Sequence, residues 1–342
     1  MMRDSDRNGM RRPRRQAGFS LVELMVSTAL GLFVVLAGLA LLVSSKMAYL
    51  AQDEGVRLQE AGRHALDVVA RAVRQAGYEH WDEEQARLHA EPEFSPNVLG
   101  LDARSLKESS DDIEFPSPHA VNGSDVLALR FFGVGGGAHG DGSILNCAGF
   151  GVAAPESQAA AEDGRGWSIF YVAKGIGGEP ELRCKYRGKK AWTSDALVAG
   201  VESFQVLYGI DLDGDGIPNG YLNADAIETL DDRLLLQGPN AVARALDRKR
   251  KTHWKKVVAV QVALLLRGAQ AGGSAGAKAR YDLFGLAYGE AHAGRDIGTR
   301  IQATDLPAAT RDRVRKLVAQ TIQLRNRSAG AAAIGRATGD ES

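Results

Sequence analysis

Between Phe19 and Val43 the chain runs for 25 residues with a single charged side chain, Glu23. At 1.5 Å per residue, a helix of that length crosses the roughly 30 Å hydrocarbon core of a bilayer. The polar stretch before it carries Arg3, Arg7, Arg11, Arg12, Arg14 and Arg15, and the positive-inside bias keeps such a stretch in the cytoplasm. A secretory signal has a shorter apolar region closed by an A-x-A-like cleavage site, and no such site follows this run cleanly. So far the segment reads as a signal-anchor helix tethering a periplasmic domain. Glu23 does not suit a plain anchor. A carboxylate at that depth costs roughly 2.5–3.5 kcal/mol on insertion scales, so something must make it worth keeping.

The 342 residues leave room for one large domain or two modest ones. Lys+Arg and Asp+Glu both count 42, so no overall polyelectrolyte partner is implied. A glycine count of 40 with 6% aromatic residues suits a loop-rich β protein better than a compact helical enzyme. Cys147 and Cys184 make no C-x-x-C pair. In an exported domain they suit one disulfide, contributing about 3–4 kcal/mol by loop closure; two free thiols are the alternative.

The helix is expected to continue past the membrane. From Ser44 to about Ala76 there is no proline, and Leu58, Ala61, Ala65, Val68, Val69, Ala72, Val73 and Ala76 recur at helical spacing. Arg57, Glu60, Arg63, Asp67, Arg71 and Arg74 fall mostly on the solvent side, and Gly77 supplies a stop. The spacing predicts one helix over 19–77, lipid-buried over 19–43 and amphipathic beyond; a break near Gly55 or Gly62 is the other reading. Residues 80–122, with Pro92, Pro96, Pro116 and Pro118, read as an irregular loop. Strands are expected at Val126–Val134, apolar on both faces, and at Trp167–Ala173 and Glu181–Tyr186 around the hairpin loop "KGIGGEP". Val201–Ile210 alternates, Val257–Arg267 ("VVAVQVALLLR") reads as a central strand, and Leu317–Arg325 alternates again. Residues 78–326 thus make a β-rich periplasmic domain, and 327–342 read as a disordered tail. The fold class is α+β: a long N-terminal helix packed on a mainly antiparallel sheet.

In "DLDGDGIPN" the acids Asp211, Asp213 and Asp215 alternate, followed by Gly216, Ile217 and Asn219. These residue types match the first half of a calcium loop, with Ile217 offering its backbone carbonyl. The position that takes Glu in an EF-hand is Leu222, so this is no EF-hand, and Asp225 or Glu228 would have to complete a different cage. The plainer reading is an acidic hairpin loop built on Asx-turns. "GVGGGA", Gly133 to Ala138, fits G-x-G-x-x-G/A, but "HGDGSILNCAG" supplies no helix after it, which leaves a flexible glycine loop. "RKRKTHWKK", Arg248 to Lys256, reads as a solvated helix end or loop. DNA contact, by phosphate neutralisation and stacking, is its rival. None of the seven histidines has ligand-like spacing, neither G-x-S-x-G nor a Walker A occurs, and the chain reads as a non-enzyme.

The edge of the apolar run is Arg15-Gln16-Ala17-Gly18-Phe19-Ser20-Leu21-Val22-Glu23-Leu24. It resembles the class III prepilin leader of type IV pilins: a short basic leader ending in Gly, then Phe, with Glu fifth in the mature chain. "GVESFQVLYGIDLDGDG", "WKKVVAVQVALLLR" and "VAQTIQLRN" extend the resemblance to the PilW family of minor pilins; residues 80–165 take no part in it. The resemblance implies a pilin-like fold, a cytoplasmic leader over 1–18, cleavage between Gly18 and Phe19 by a membrane-embedded peptidase, and N-methylation of Phe19. It implies a place in the bacterial inner membrane, with the C-terminal domain periplasmic, and later at the pilus tip. The implied partners are the prepilin peptidase, the other minor pilins, the major pilin and a tip adhesin, with no small-molecule substrate. Motility, adhesion and DNA uptake are the roles such pili serve.

Physical chemistry agrees with that reading. Gly18 lets the backbone lie extended in a protease cleft. Glu23 can then pair with the Phe19 amine of a neighbouring subunit or with its own, which is how ionised groups survive in low dielectric. Ser20, Ser27 and Thr28 can bond back to carbonyls or to neighbours, and Gly31 and Gly38 permit close helix approach. The kinking proline of many major pilins is Ala40 here. Two rivals share features: a minor pseudopilin of a type II secretion system, and a membrane-tethered periplasmic binding domain.

Overall fold

The computed structural model describes residues 18, 20–79, 88–188, 191–271 and 279–328; the leader before Gly18, Phe19 and the stretch 329–342 lie outside the described residues. Leu21–Gln75 is a single α-helix of 55 residues, α1, unbroken at Gly55 and Gly62. It stops where expected: Gly77 adopts φ +69° and its N–H donates to Arg130 O at 2.8 Å. That conformation is cheap only for glycine.

The chain divides between Gln52 and Asp53 into two compact units. The first holds the apolar part of α1, whose Leu21, Met25, Phe33 and Leu41 are all exposed. In the second, Leu58, Ala65, Val69, Val73 and Ala76 are buried, while Arg57, Glu60, Arg63, Asp67, Arg71 and Arg74 are exposed. This is the amphipathic split that the spacing predicts.

The body of the second unit has two main sheets rather than one. Val98–Leu101 (β1), Val126–Phe131 (β2), Gly166–Lys174 (β3), Pro180–Arg187 (β4) and Trp192–Ala199 (β5) form a five-stranded antiparallel meander in chain order. Gly200, at φ +78°, then passes the chain into Val201–Ile210 (β6). With Gly220–Leu222 (β7), Val257–Ala271 (β8) and Arg313–Gln323 (β11), this strand builds a second antiparallel sheet ordered β11-β8-β6-β7. Arg280–Asp282 (β9) and Arg300–Gln302 (β10) pair as a small ribbon. The shorter helices are Ala161–Gly164 (α2), Ala224–Asp231 (α3), Ala241–Lys251 (α4) and Leu286–His292 (α5).

The main core joins Leu58, Val69 and Val73 of α1 to Leu127, Phe170 and Leu182 of the first sheet, and to Phe204, Val262 and Leu264 of the second. Three expectations need correction. β1 lies inside the stretch read as an irregular loop, 80–122, because a four-residue apolar strand beside many prolines gives no clear period. β6 is buried along its whole length instead of alternating. The reason is a second cover: Ala263 and Leu265 of the same sheet pack under Leu283, Ile301 and Leu306, and Gln205 of β6 donates to Gly123 O at 2.7 Å. Finally, the start of the expected disordered tail is packed: Ser328 is 8% exposed and Arg327 lies 3.9 Å from Asp211.

Cys147 and Cys184 form a disulfide with Cα atoms 5.8 Å apart, tying the long β2–β3 connection to β4. In the second sheet Glu202 is a buried clamp. Arg315 Nε and NH2 donate to its two oxygens at 2.6 and 3.2 Å, and Arg267 NH1 lies 3.3 Å away. These residues come from β11, β6 and β8, so one carboxylate holds three adjacent strands. Removing one partner of a buried pair leaves an uncompensated charge, at about 3–5 kcal/mol. Glu202→Ala is therefore expected to lower unfolding stability by about that amount in a denaturant titration; a loss below about 1 kcal/mol contradicts the clamp. Reduction and alkylation of Cys147 and Cys184 is expected to lower stability by about 3–4 kcal/mol, read in the same titration.

Candidate functional site

The start of α1 is built by Ser20. Its carbonyl accepts the first helical bond from Leu24 N at 3.1 Å, and its hydroxyl accepts from Glu23 N at 3.2 Å. Ser20 is therefore the N-cap, with Glu23 at the third helical position, the S-x-x-E arrangement of a capping box. That pattern stood in the sequence, and reading Ser20 as a back-bonding residue overlooked it. Ser27 and Thr28 do bond back: both hydroxyls reach Leu24 O at 3.0 Å, and Thr28 also reaches Met25 O at 3.0 Å.

Glu23 sits in the first turn, where the helix dipole favours an anion. Its carboxylate has no hydrogen bond or ion pair among the described residues, and its neighbours Leu21, Val22, Leu24 and Met25 are exposed apolar side chains. Gly31 and Gly38 have open space around them, with nothing within 4 Å of an added Cβ. The region presents a lone carboxylate and two close-approach points on an apolar surface. Gly18 is exposed; Phe19 lies outside the described residues.

The acidic loop connects β6 to β7. Ligand-type atoms of Asp211, Asp213 and Asp215 lie within 4.8 Å of one another. The loop is also knit together internally. Asp211 accepts from Gly214 N at 2.6 Å and Gly216 N at 2.7 Å, and Asp215 accepts from Ile217 N at 2.7 Å. Asn219 donates its amide to Asp213 at 3.0 Å, and this bond leads the causes that hold the Asp213 carboxyl below its usual range. Arg327 lies against Asp211, and a Cβ on Gly216 would come within 2.3 Å of its guanidinium. The residues offered to complete a calcium cage stand elsewhere. Glu228 accepts from Trp254 Nε1 at 2.7 Å and pairs with Arg248. Asp225 N donates to Asp102 at 2.7 Å, in the first turn of α3.

The basic stretch is less solvated than its composition suggests. Arg248–Lys251 form the last turn of α4, but Trp254 and Lys255 are buried. The Trp254 ring packs edge-on against Tyr208 at 4.8 Å. It is withdrawn from the surface and unavailable for base stacking. Asp231 organises the turn by accepting from His253 N and lying 2.7 Å from His253 Nδ1. The glycine loop after Gly133 forms the rim of a broad groove that includes Phe150 and Tyr186, whose rings are 5.3 Å apart.

The segments 200–216, 254–267 and 318–326 are distant in sequence and adjacent in space, on β6, β8 and β11. Residues 169–326 match the family described as type IV pilus-assembly protein W, and residues 13–39 match the prokaryotic N-terminal methylation motif. No curated protein and no solved structure matches the chain.

Proposed function

The chain belongs to the PilW-type minor pilins, and from that premise we propose that it primes assembly of a type IV pilus and sits at its tip, inserting through α1. The observation that carries this reading is Glu23: a carboxylate without a partner among the described residues, in the first turn of a helix whose apolar side chains over 21–43 are exposed. In lipid that charge costs roughly 2.5–3.5 kcal/mol. A positive amine from a neighbouring subunit relieves the cost, and removal of the leader after Gly18 creates such an amine on Phe19. The charge that penalises a solitary subunit thereby favours one placed beside a partner in register.

The partners in this reading are the other minor pilins, the major pilin and a tip adhesin, with the prepilin peptidase acting first. The subunit starts as a single-pass protein of the inner membrane, with its body periplasmic. The family match favours a pilus over a type II secretion pseudopilus, and co-purification with one or the other set of subunits separates them. N-terminal sequencing of the mature protein is expected to start at a methylated Phe19; an intact leader sinks both filament readings.

Glu23→Ala is the direct test. The variant is expected to be processed and to insert in the membrane as well as the parent. Its amount in sheared pili should fall by about tenfold or more, the equivalent of roughly 1.4 kcal/mol. Normal incorporation of Glu23→Ala would defeat the proposal.

A further inference from the structure

Helix α4 is an anomaly: none of its residues is buried. Val242 is 70% exposed, Leu246 one turn later is 40% exposed, and Leu235, on the segment leading into the helix, is 88% exposed. Asn240 caps the helix by accepting from Ala243 N at 2.8 Å. Its other end is held by charge: Arg248 reaches Glu228 at 3.1 Å, and Arg250 Nε reaches Glu93 at 2.6 Å. Surface pairs of this kind contribute about 0–1 kcal/mol each. A helix of 11 residues is shorter than the roughly 12–15 at which isolated helices are already marginal. The helix thus has little of its own to hold it, and its apolar Val242 and Leu246 are left largely open.

Beside it lies a cleft of about 270 Å³, between the acidic loop, Leu234 and residues 250–258. Arg250, Lys251, Lys255, Lys256 and Arg327 line it, against two acids, Asp211 and Asp213. Lys251 is matched by Asp247 at 2.8 Å, and Arg327 stands 3.9 Å from Asp211. Neither Lys255 nor Lys256 forms an ion pair among the described residues, and Glu93 and Glu162 act on the Lys255 ammonium only from farther off. Lys255 is 4% exposed, yet its ammonium makes a single hydrogen bond, to Pro92 O at 2.5 Å. Burial, and then the nearby Arg165, push that ammonium down to about 8. A cation held this deep with no carboxylate in direct contact is costly until an anion arrives.

We propose that α4 and this cleft form one docking surface for an acidic, leucine-bearing segment of a partner polypeptide, whose carboxylate sets against Lys256 and Lys255 while its apolar side chains cover Val242 and Leu246. Charge complementarity and the uncovered apolar side chains select this occupant. Nucleic acid is disfavoured because Trp254, the one aromatic residue of the basic stretch, is buried, and because Asp211 and Asp213 stand among the cations. The inference rests on the pilus reading only in expecting a polypeptide partner. Its test is independent of assembly, so either proposal can fail while the other stands.

The test uses the full-length chain in detergent micelles and a fluorescently labelled peptide of alternating Asp and Leu, read by anisotropy. Binding is expected to saturate, to weaken as pH rises through about 8, and to resist competition by a single-stranded oligothymidylate. Lys256→Glu and Val242→Asp each replace a side chain outside the core, so both variants should melt like the parent. Each is expected to weaken the peptide by about tenfold. Unchanged affinity in both variants overturns the proposal, as does tighter binding of the oligothymidylate than of the peptide. Tighter peptide binding by an Asp340→Asn, Glu341→Gln double variant would assign the cleft to the chain's own acidic residues and also overturn it.

Discussion

Where α1 crosses β11 and β8, a Cβ added to Gly62 would lie 3.0 Å from Val318 and 3.4 Å from Leu266. That close approach sets the terms for the rest of the body. Small residues around it, Ala61, Ala65, Ala72 and Ala76, keep the helix backbone near the sheet, while Val69 and Val73 fill the space between. Close packing of this kind would make a Cβ at Gly62 crowd the Val318 methyls and demands a sheet that is apolar where the helix lies. β8 meets the demand with Val260, Val262, Leu264 and Leu266 facing the main core. Fully burying each aliphatic side chain contributes about 1.5–3 kcal/mol, so the helix and the long central strand stabilise each other.

Burial on both faces has a polar cost, and the chain meets it with fixed pairings. Glu162 bridges Arg130 and Arg165 at 2.7 Å each, while Arg165 also donates to Asn97 Oδ1 and Ser95 O at 2.9 and 2.8 Å. Burial, with Arg130 adding to it, pushes Arg165 down to about 9. Asp125 joins the two sheets by accepting from Ala103 N at 3.0 Å and Val206 N at 2.9 Å. Burial still drives its carboxyl well above the usual range, because two amide bonds do not replace the hydration of a fully enclosed charge. Such groups contribute register more than net stability. Asp125 fixes which residue of β6 faces the turn after β1, much as Glu202 fixes β6 against β8 and β11.

The features legible in the sequence were those with a strong period or a rigid spacing. The 3.6-residue recurrence from Leu58 to Ala76 marked the buried stripe of α1 because one face of that helix meets solvent. The unbroken apolar run at Val257–Arg267 marked a central strand because both its faces are covered. The two cysteines found each other because an exported chain with two thiols offers a single pairing. Other features left no local trace. Glu202, Ser203 and Gln205 made β6 look half-exposed, and partners far off in the sequence account for the burial: Arg315 and Arg267 hold Glu202, and Gly123 O accepts from the Gln205 amide. β5, Trp192–Ala199, mixes Thr193, Ser194 and Asp195 into a strand whose partners lie on one side only. The docking cleft unites Asp211, Lys256 and Arg327 from separate loops, a meeting that no spacing rule announces. Ser20 was legible and overlooked, since S-x-x-E was present at the helix start.

The apolar half of α1 poses a different problem, because lipid is as good a solvent for leucine as another helix is. The hydrophobic effect therefore keeps this segment in the membrane without choosing its neighbour. Choice falls to the few groups that lipid treats badly or that admit close contact. Ser27 and Thr28 are poor candidates, since their hydroxyls are already satisfied by Leu24 O and Met25 O. Ser20 is occupied in capping Glu23 N. Among the described residues of this segment, Glu23 is left as the polar group without a partner, and Gly31 and Gly38 as the places where another helix can approach closely. In the proposed filament, partner selection along some twenty residues of helix thus concentrates on one charge and two glycines. Changes among the leucines there should matter little so long as they remain apolar.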